Sequence, residues 1–215
     1  MLTSKIIITI AVVILFAILW VVGHAMFDAH YWHTHKLDNF PFTYKGKKFW
    51  YSRSVAACCF IFKKVGNTIF ALVERRGDGA ADYQDHHCVI CGYLSFDETL
   101  EDCVAREAME ECGFAIDKSR LRFLSLNSSP SQNRQNVSAH YAYVANENED
   151  FDLKNAIGGE TNEIADVNWY PIAKINEDGT IDEESVMSTC KDMKWAFNHD
   201  NLIKQYLPTI CFTKN

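Results

Sequence analysis

The sequence predicts an α+β layered domain behind an apolar N-terminal segment, and three observations carry that expectation. Apolar runs of strand length outnumber helical segments. The two kinds do not alternate strictly, which argues against a doubly wound parallel sheet. The composition, 48% hydrophobic, 13% aromatic and 23% charged, is that of a globular chain and not a disordered one. At 215 residues the chain has room for one domain of ordinary size plus an appendage.

Taking the elements in order, Ile6 to Val22 is apolar except for Thr9. A run of that length can cross a bilayer as a helix. Trp20, Tyr31 and Trp32 suit an interface. The competing reading is a cleaved signal peptide, with Lys5 as its charged start and Gly23-His24-Ala25 as a cleavage site. The run is longer than most signal cores, so residues 1–27 are expected to form an uncleaved transmembrane anchor. Lys36, Lys45, Lys47 and Lys48 follow the span and only Lys5 precedes it, so the domain is expected on the cytoplasmic side of a single-pass membrane protein. His24, His30, His33 and His35 read as a polar collar, because no carboxylate or cysteine stands beside them at ligand spacing. Residues 28–49 read as a juxtamembrane connector and residues 50–215 as the domain.

Within the domain, Ser54–Phe62 and Thr68–Val73 are apolar runs joined by a Gly66-Asn67 turn, a hairpin signature. Arg75–Gln84 is a loop. His87–Leu94, Leu121–Leu126, Val137–Val144 and Asp166–Tyr170 are further strands, and Pro171 is expected to break the chain. Leu100–Cys112 is a helix. Glu183 to about Leu207 is expected to be helical in two pieces. Ala156–Asn162 is a loop.

The net charge of −7 argues against a nucleic-acid duplex as a standing partner. It leaves room for an anionic substrate if a divalent cation stands between carboxylates and phosphates. The eight cysteines read as small buried hydrophobes in a reducing compartment. Cys88 and Cys91 form a CxxC after His86 and His87, but a second such pair at zinc-ribbon spacing is missing.

The chemistry concentrates in Gly92–Phe114, GYLSFDETLEDCVAREAMEECGF. Thr99 with Asp102 resembles a capping box, and Gly113 suits a left-handed helix stop. Glu107, Glu110 and Glu111 are spaced i, i+3, i+4 and fall within a sector of roughly 100° on one helix face. Like charges so placed destabilise a helix. A hard cation with oxygen ligands relieves the repulsion, and Arg106 can pair with one of the glutamates. On spacing alone, a solvated acidic face explains the pattern equally well.

The same stretch resembles the Nudix box, G-x5-E-x7-R-E-U-x-E-E-x-G-U with U apolar. Gly92, Glu98, Arg106, Glu107, Glu110, Glu111 and Gly113 fill its fixed positions, and Ala108 and Phe114 its apolar ones. The order of elements is also similar: a strand pair ending at Glu74-Arg75-Arg76, a loop, the box, and a later loop Gly159–Glu163 leading to Trp169. The resemblance covers about residues 50 to 207. Ile90-Cys91-Gly92 stands where many members have Pro-Gly-Gly, and Asp97 where many have glycine; both departures concern a turn.

That resemblance implies an α/β/α sandwich with a mixed sheet and a cofactor, Mg²⁺ or Mn²⁺, held by Glu107, Glu110, Glu111 and the Gly92 carbonyl. It implies a hydrolase cleaving the phosphoanhydride bond of a nucleoside-diphosphate-type substrate by water attack at phosphorus. Glu98, Glu111 and Glu163 are candidates for the general base, with Arg106 as a further catalytic candidate. Arg75, Arg76 and Arg134 are candidates for phosphate or substrate contact, and Tyr93 and Phe96 for stacking on a base, although core packing is the commoner fate of such aromatics. Many relatives form dimers, so a homodimer is possible on the same footing. A non-catalytic nucleotide-binding module at the membrane is the alternative. A calcium-binding structural protein is disfavoured because no EF-hand loop is present.

Overall fold

The computed structural model describes residues 12–24, 26, 39–131, 135–154, 156 and 162–212. The chain divides into two units, Met1–Ser52 and Arg53–Asn215. The first contains helix α1 (12–24) and a hairpin of strands β1 (Phe40–Tyr44) and β2 (Lys47–Tyr51). Lys45 and Gly46 both take positive φ, 48° and 74°, which is the twist a two-residue hairpin turn requires. The hairpin occupies part of the stretch expected to be a connector. Among the described residues, no helix is long and apolar enough to cross a membrane. The expected anchor extends over residues 1–11, 25 and 27, which lie outside the described residues, as do Tyr31, Trp32, Lys36 and three of the four collar histidines, His30, His33 and His35.

The second unit is a mixed sheet between two helical layers. Its strands are β3 (Ser54–Val65), β4 (Thr68–Arg76), β5 (His87–Cys88), β6 (Ile90–Tyr93), β7 (Arg122–Asn127), β8 (Asn136–Ala145), β9 (Ile164–Ile175) and β10 (Ile181–Asp182). The main order is β10-β9-β4-β3-β8-β7, with β5 on β4 and β6 on β3. The β3–β8 pair is parallel and every other pair antiparallel. Long apolar runs such as Ala57–Phe62 are the mark of a strand covered on both faces, and both faces are covered here.

One face buries Ala57, Cys59, Ile61 and Leu72 against Cys103, Val104, Ala108 and Cys112 of helix α2 (Leu100–Cys112). The other buries Phe60, Phe62, Ile69 and Val73 against Ile203 and Tyr206 of helix α3 (His199–Tyr206). Alternate residues of each strand serve opposite layers, as the pleat demands. The α/β/α order agrees with the expected fold.

Three expected boundaries need correction. His87–Leu94 is two short strands, because Val89 turns its N–H to His199 Nδ1 (3.1 Å). Pro171 does not end its strand: β9 runs through it, and a register shift opposite Ile69 and Phe70 accommodates the missing N–H. The stretch from Glu183 is mostly not α-helical. Met187, Phe197 and Asn198 take φ values of 55–61°, which interrupt a right-handed helix, leaving 3₁₀ turns and the short α3.

Candidate active site

Helix α2 is fixed at both ends. Thr99 Oγ1 accepts from Asp102 N–H (3.2 Å) and Thr99 N–H donates to Asp102 Oδ2 (3.2 Å), so the capping box is complete. Gly113 ends the helix at φ 66°. Its buried stripe pins the helix to the sheet, and Arg106 and Glu107 reach β6 and the loop after it.

Arg106 organises that loop. Its Nε donates to Glu98 Oε2 (2.9 Å) and Nη2 to Glu98 Oε1 (2.8 Å), a two-point pairing. Nη1 donates to Glu107 Oε1 and Glu110 Oε2, both at 2.8 Å, and Nη2 donates to the Tyr93 carbonyl (3.0 Å). All the guanidinium donors are therefore used. Ser95 N–H adds a bond to Glu98 Oε1 (2.7 Å). The Arg106 hydrogen bonds hold the Glu98 carboxyl down at about 2. Glu98 thus clamps the loop to the helix through Arg106 and Ser95.

Gly92 faces α2 opposite Ala57 of β3. A Cβ there would lie 1.8 Å from Glu107 Oε1 and 2.0 Å from its Cδ. The glycine lets the Glu107 carboxylate lie directly against the strand; a side chain there would require that carboxylate to move aside.

Beneath this lies a carboxylate that sequence reasoning missed. Glu74 on β4 is 1% exposed and accepts the Cys88 S–H at Oε1 (2.9 Å). Burial raises its pKa to about 8, reinforced by the Cys91 charge. Burial also raises Glu111 well above the carboxylate range, with Glu74, Cys91 and Glu107 adding repulsion. Glu107 is raised by burial, against the pull of Arg106. The only signal for Glu74 was a lone carboxylate ending an apolar strand run.

The remaining candidates are placed less centrally. Arg75 pairs with Asp85 (3.0 Å); Arg76 pairs with Asp82 (3.1 Å) and stacks on Phe197, so both close the 77–86 loop. Tyr93 is exposed, and its hydroxyl accepts from Asn136 Nδ2 (3.0 Å). Phe96, the other stacking candidate, is 94% exposed and does not pack in the core. Glu163 is exposed just before β9, where its carbonyl accepts Gly77 N–H (2.6 Å). Arg134 and the loop residues Gly159, Glu160 and Thr161 lie outside the described residues. All eight cysteines are free, and six are buried.

Among the described residues no group of three His, Cys, Asp or Glu side chains is already gathered as a metal cage, the CxxC included. The donors nonetheless fit a hard divalent cation. They are all oxygens, Arg106 engages one oxygen each of Glu107 and Glu110, and the Oε2 atoms of Glu111 and Glu74 are buried without a donor.

A family model described as NUDIX domain matches residues 52–190. The NAD-capped RNA hydrolase NudC of Vibrio atlanticus (strain LGP32) is 30% identical over 115 residues, 51% of this chain and 38% of that protein. The chain therefore spans less than two-fifths of that relative's length. The NUDIX domain of Shewanella oneidensis NrtR, solved with ADP ribose, is similar with a TM-score of 0.57 at 16% identity, over 85% of this chain and 98% of that one. A bifunctional NMN adenylyltransferase/ADP ribose pyrophosphatase from Francisella tularensis, solved with AMP and a Mn ion, gives 0.51 at 17% identity, over 73% and 41%. At such identities these structures establish the fold alone.

Proposed function

This chain belongs to the NUDIX family, and we propose on that footing that it is a divalent-cation-dependent pyrophosphohydrolase acting on a nucleoside diphosphate linked to a further group. The observation that carries this reading is the packing of the Glu107 carboxylate directly against Gly92, with Glu110 and Glu111 on the same helix face. The named substrates and ligands of the relatives, NAD-capped RNA and ADP ribose, share the nucleoside-diphosphate element and support the substrate class.

Glu107, Glu110, Glu111 and the Gly92 carbonyl would hold Mg²⁺ or Mn²⁺, which would neutralise the pyrophosphate and polarise phosphorus. The chain's own residues do the rest. Arg106 holds the Glu98, Glu107 and Glu110 carboxylates at fixed rotamers and leaves a second oxygen of Glu107 and of Glu110 open. A carboxylate takes the proton of the attacking water as the phosphoanhydride bond breaks. Both oxygens of Glu98 already accept from Arg106, so that role falls to Glu111 or Glu163. Exposed Tyr93 and Phe96 flank the loop and offer ring faces to a base.

The test is turnover of a panel of nucleoside-diphosphate compounds by the full chain with Mg²⁺ or Mn²⁺. Release of a nucleoside monophosphate, lost in Glu110→Gln and Glu111→Gln, is the expected result. Glu163→Gln identifies the base: a rate loss that shrinks as pH rises assigns it to Glu163, and unchanged turnover assigns it to Glu111. Tight nucleotide binding without turnover would replace the hydrolase by a binding module.

We also propose that the apolar segment 6–22 attaches the chain to a membrane, with the domain on the cytoplasmic side. The exposed apolar side chains from Val12 to Val22 and the lysines that follow support it. Retention in the membrane pellet after an alkaline wash is expected, and release into the supernatant would refute it.

A further inference from the structure

The hairpin of β1 and β2 leaves aromatic side chains uncovered on both of its faces. The pleat sends alternate residues to opposite sides. Phe42, Tyr44 and Phe49 share one face, where Phe42 and Phe49 stand opposite each other and stack at 5.6 Å. Trp50 stands on the other face, opposite Pro41. Phe42, Tyr44 and Trp50 are 46%, 59% and 61% exposed. A two-stranded hairpin without a further layer is marginally stable in water, so these side chains call for a partner.

The charges say which kind. Residues 40–52 contain Lys45, Lys47 and Lys48 and no Asp or Glu, in a chain of net charge −7. The three lysines are exposed at or beside the turn. Among the described residues no carboxylate pairs with any of them. Lys45 Nζ lies 5.3 Å from the centre of the Tyr44 ring, and Lys48 Nζ lies 5.4 Å from that of Trp50. An apolar ring beside a cationic head suits the boundary between lipid tails and headgroups.

We propose that the β1–β2 hairpin is a second membrane contact, which sets its turn into the headgroup layer of an anionic lipid surface. The proposal deepens the membrane-attachment reading and rests on it. Residues 23–39 join the hairpin to the apolar segment 6–22. A stretch of that length reaches at most about 60 Å, so attachment of the segment keeps the hairpin near the same surface. A protein groove would cover one face of a hairpin. A headgroup layer surrounds the turn, which fits aromatics on both faces and cations at the tip. Lysines near an anionic leaflet each strengthen the contact about fivefold, and the attraction fades within a Debye length. Nucleic acid also attracts lysines and aromatic rings, but it offers nothing to the neighbouring apolar segment.

The experiment reconstitutes the full chain into phosphatidylcholine vesicles and into vesicles with phosphatidylserine as about a third of the lipid. Amide hydrogen exchange over residues 40–51 is followed by mass spectrometry, with residues 100–112 as the internal control. Exchange over 40–51 should be about tenfold slower on the anionic vesicles, and about 1 M salt should abolish the difference. The variant Lys45→Asn/Lys47→Gln/Lys48→Gln, whose asparagine tolerates the positive φ at that position, should show a difference below about threefold. Equal exchange on both vesicles, with the chain bound to them, would overturn the hairpin contact and leave attachment by segment 6–22 standing. Undiminished slowing in the triple variant would overturn recognition through the lysines. Slowing by a single-stranded RNA, with none on anionic vesicles, would replace the lipid surface by nucleic acid. Failure of the chain to float with vesicles of either composition would instead remove the membrane attachment on which the proposal rests.

Discussion

On the α3 side of the sheet, Ser125, His140 and Tyr206 close a ring of hydrogen bonds. Tyr206 Oη lies 2.6 Å from Ser125 Oγ and 2.7 Å from His140 Nδ1, and His199 Nδ1 accepts the Val89 N–H. Phe60 packs edge-on against His140, His199 and Tyr206. On the α2 side, Glu74 and Glu111 keep buried oxygens without donors, and three more carboxylates share a single guanidinium. The α3 side has one comparable orphan near it, Trp195 Nε1. Buried polar groups that satisfy one another serve stability. Buried carboxylate oxygens without donors are costly to keep, so the two sides of the sheet differ in how fully their polar groups are satisfied.

The largest expected effect tests the α2 side. In Gly92→Ala, a Cβ would stand 1.8 Å from Glu107 Oε1, so Glu107 or β6 must move. Displacing a site group by about 1 Å costs on the order of 10²-fold in rate, so turnover should fall by at least that much. Steady-state kinetics with a nucleoside-diphosphate substrate checks it. Wild-type kcat would mean that the Gly92–Glu107 contact does not shape the site.

The next effect belongs to the α3 side and concerns pH. Burial, reinforced by His199, lowers His140 to about 4. Its folded value lies below its unfolded one, so the neutral ring contributes stability that is complete above about pH 6.5 and lost as pH falls toward 4. The interval corresponds to roughly 3 kcal/mol. His140→Asn keeps an acceptor for Tyr206 and cannot be protonated, so its urea midpoint should vary less between pH 7 and 4. An unchanged slope would place the acid sensitivity elsewhere, with His199 the first alternative because burial lowers it too.

Arg106→Ala sharpens the contrast between the two sides. It leaves Glu98, Glu107 and Glu110 without their shared donor, at a cost of about 1–3 kcal/mol for partly exposed pairs. Because the lost group was a cation, Mg²⁺ should raise the melting temperature more in the variant than in wild type. Equal Mg²⁺ responses would show that Arg106 and the cation do not answer the same charge.

What could be read in advance follows the same division. The box was legible because fixed spacing on a helix fixes direction: Glu107, Glu110 and Glu111 share a face wherever the helix sits. Thr99, Asp102 and Gly113 marked its ends because capping is local chemistry. Glu74 was not legible, because a strand residue acquires its role only from the strand and helix set against it. The left-handed conformations of Met187, Phe197 and Asn198 were hidden for a related reason: none of the three is a glycine that would announce the turn. Pro171 misled because the register shift that accommodates it depends on β4.

The smallest expected effect isolates helix placement from site chemistry. Thr99→Ala removes the side-chain acceptor for Asp102 N–H and leaves every carboxylate of the site in place. Loss of a threonine cap typically costs about 1 kcal/mol, so the melting temperature should fall by a few degrees. Asp102 keeps its contact with Lys118, which limits fraying to the first turn. Arg106 lies beyond that turn and is tied to Glu98, so Mn²⁺ affinity should stay near that of wild type. A large loss of Mn²⁺ binding in Thr99→Ala would mean that the cap, and not the Arg106 bonds and the buried stripe on the sheet, sets the pitch at which the glutamates are presented.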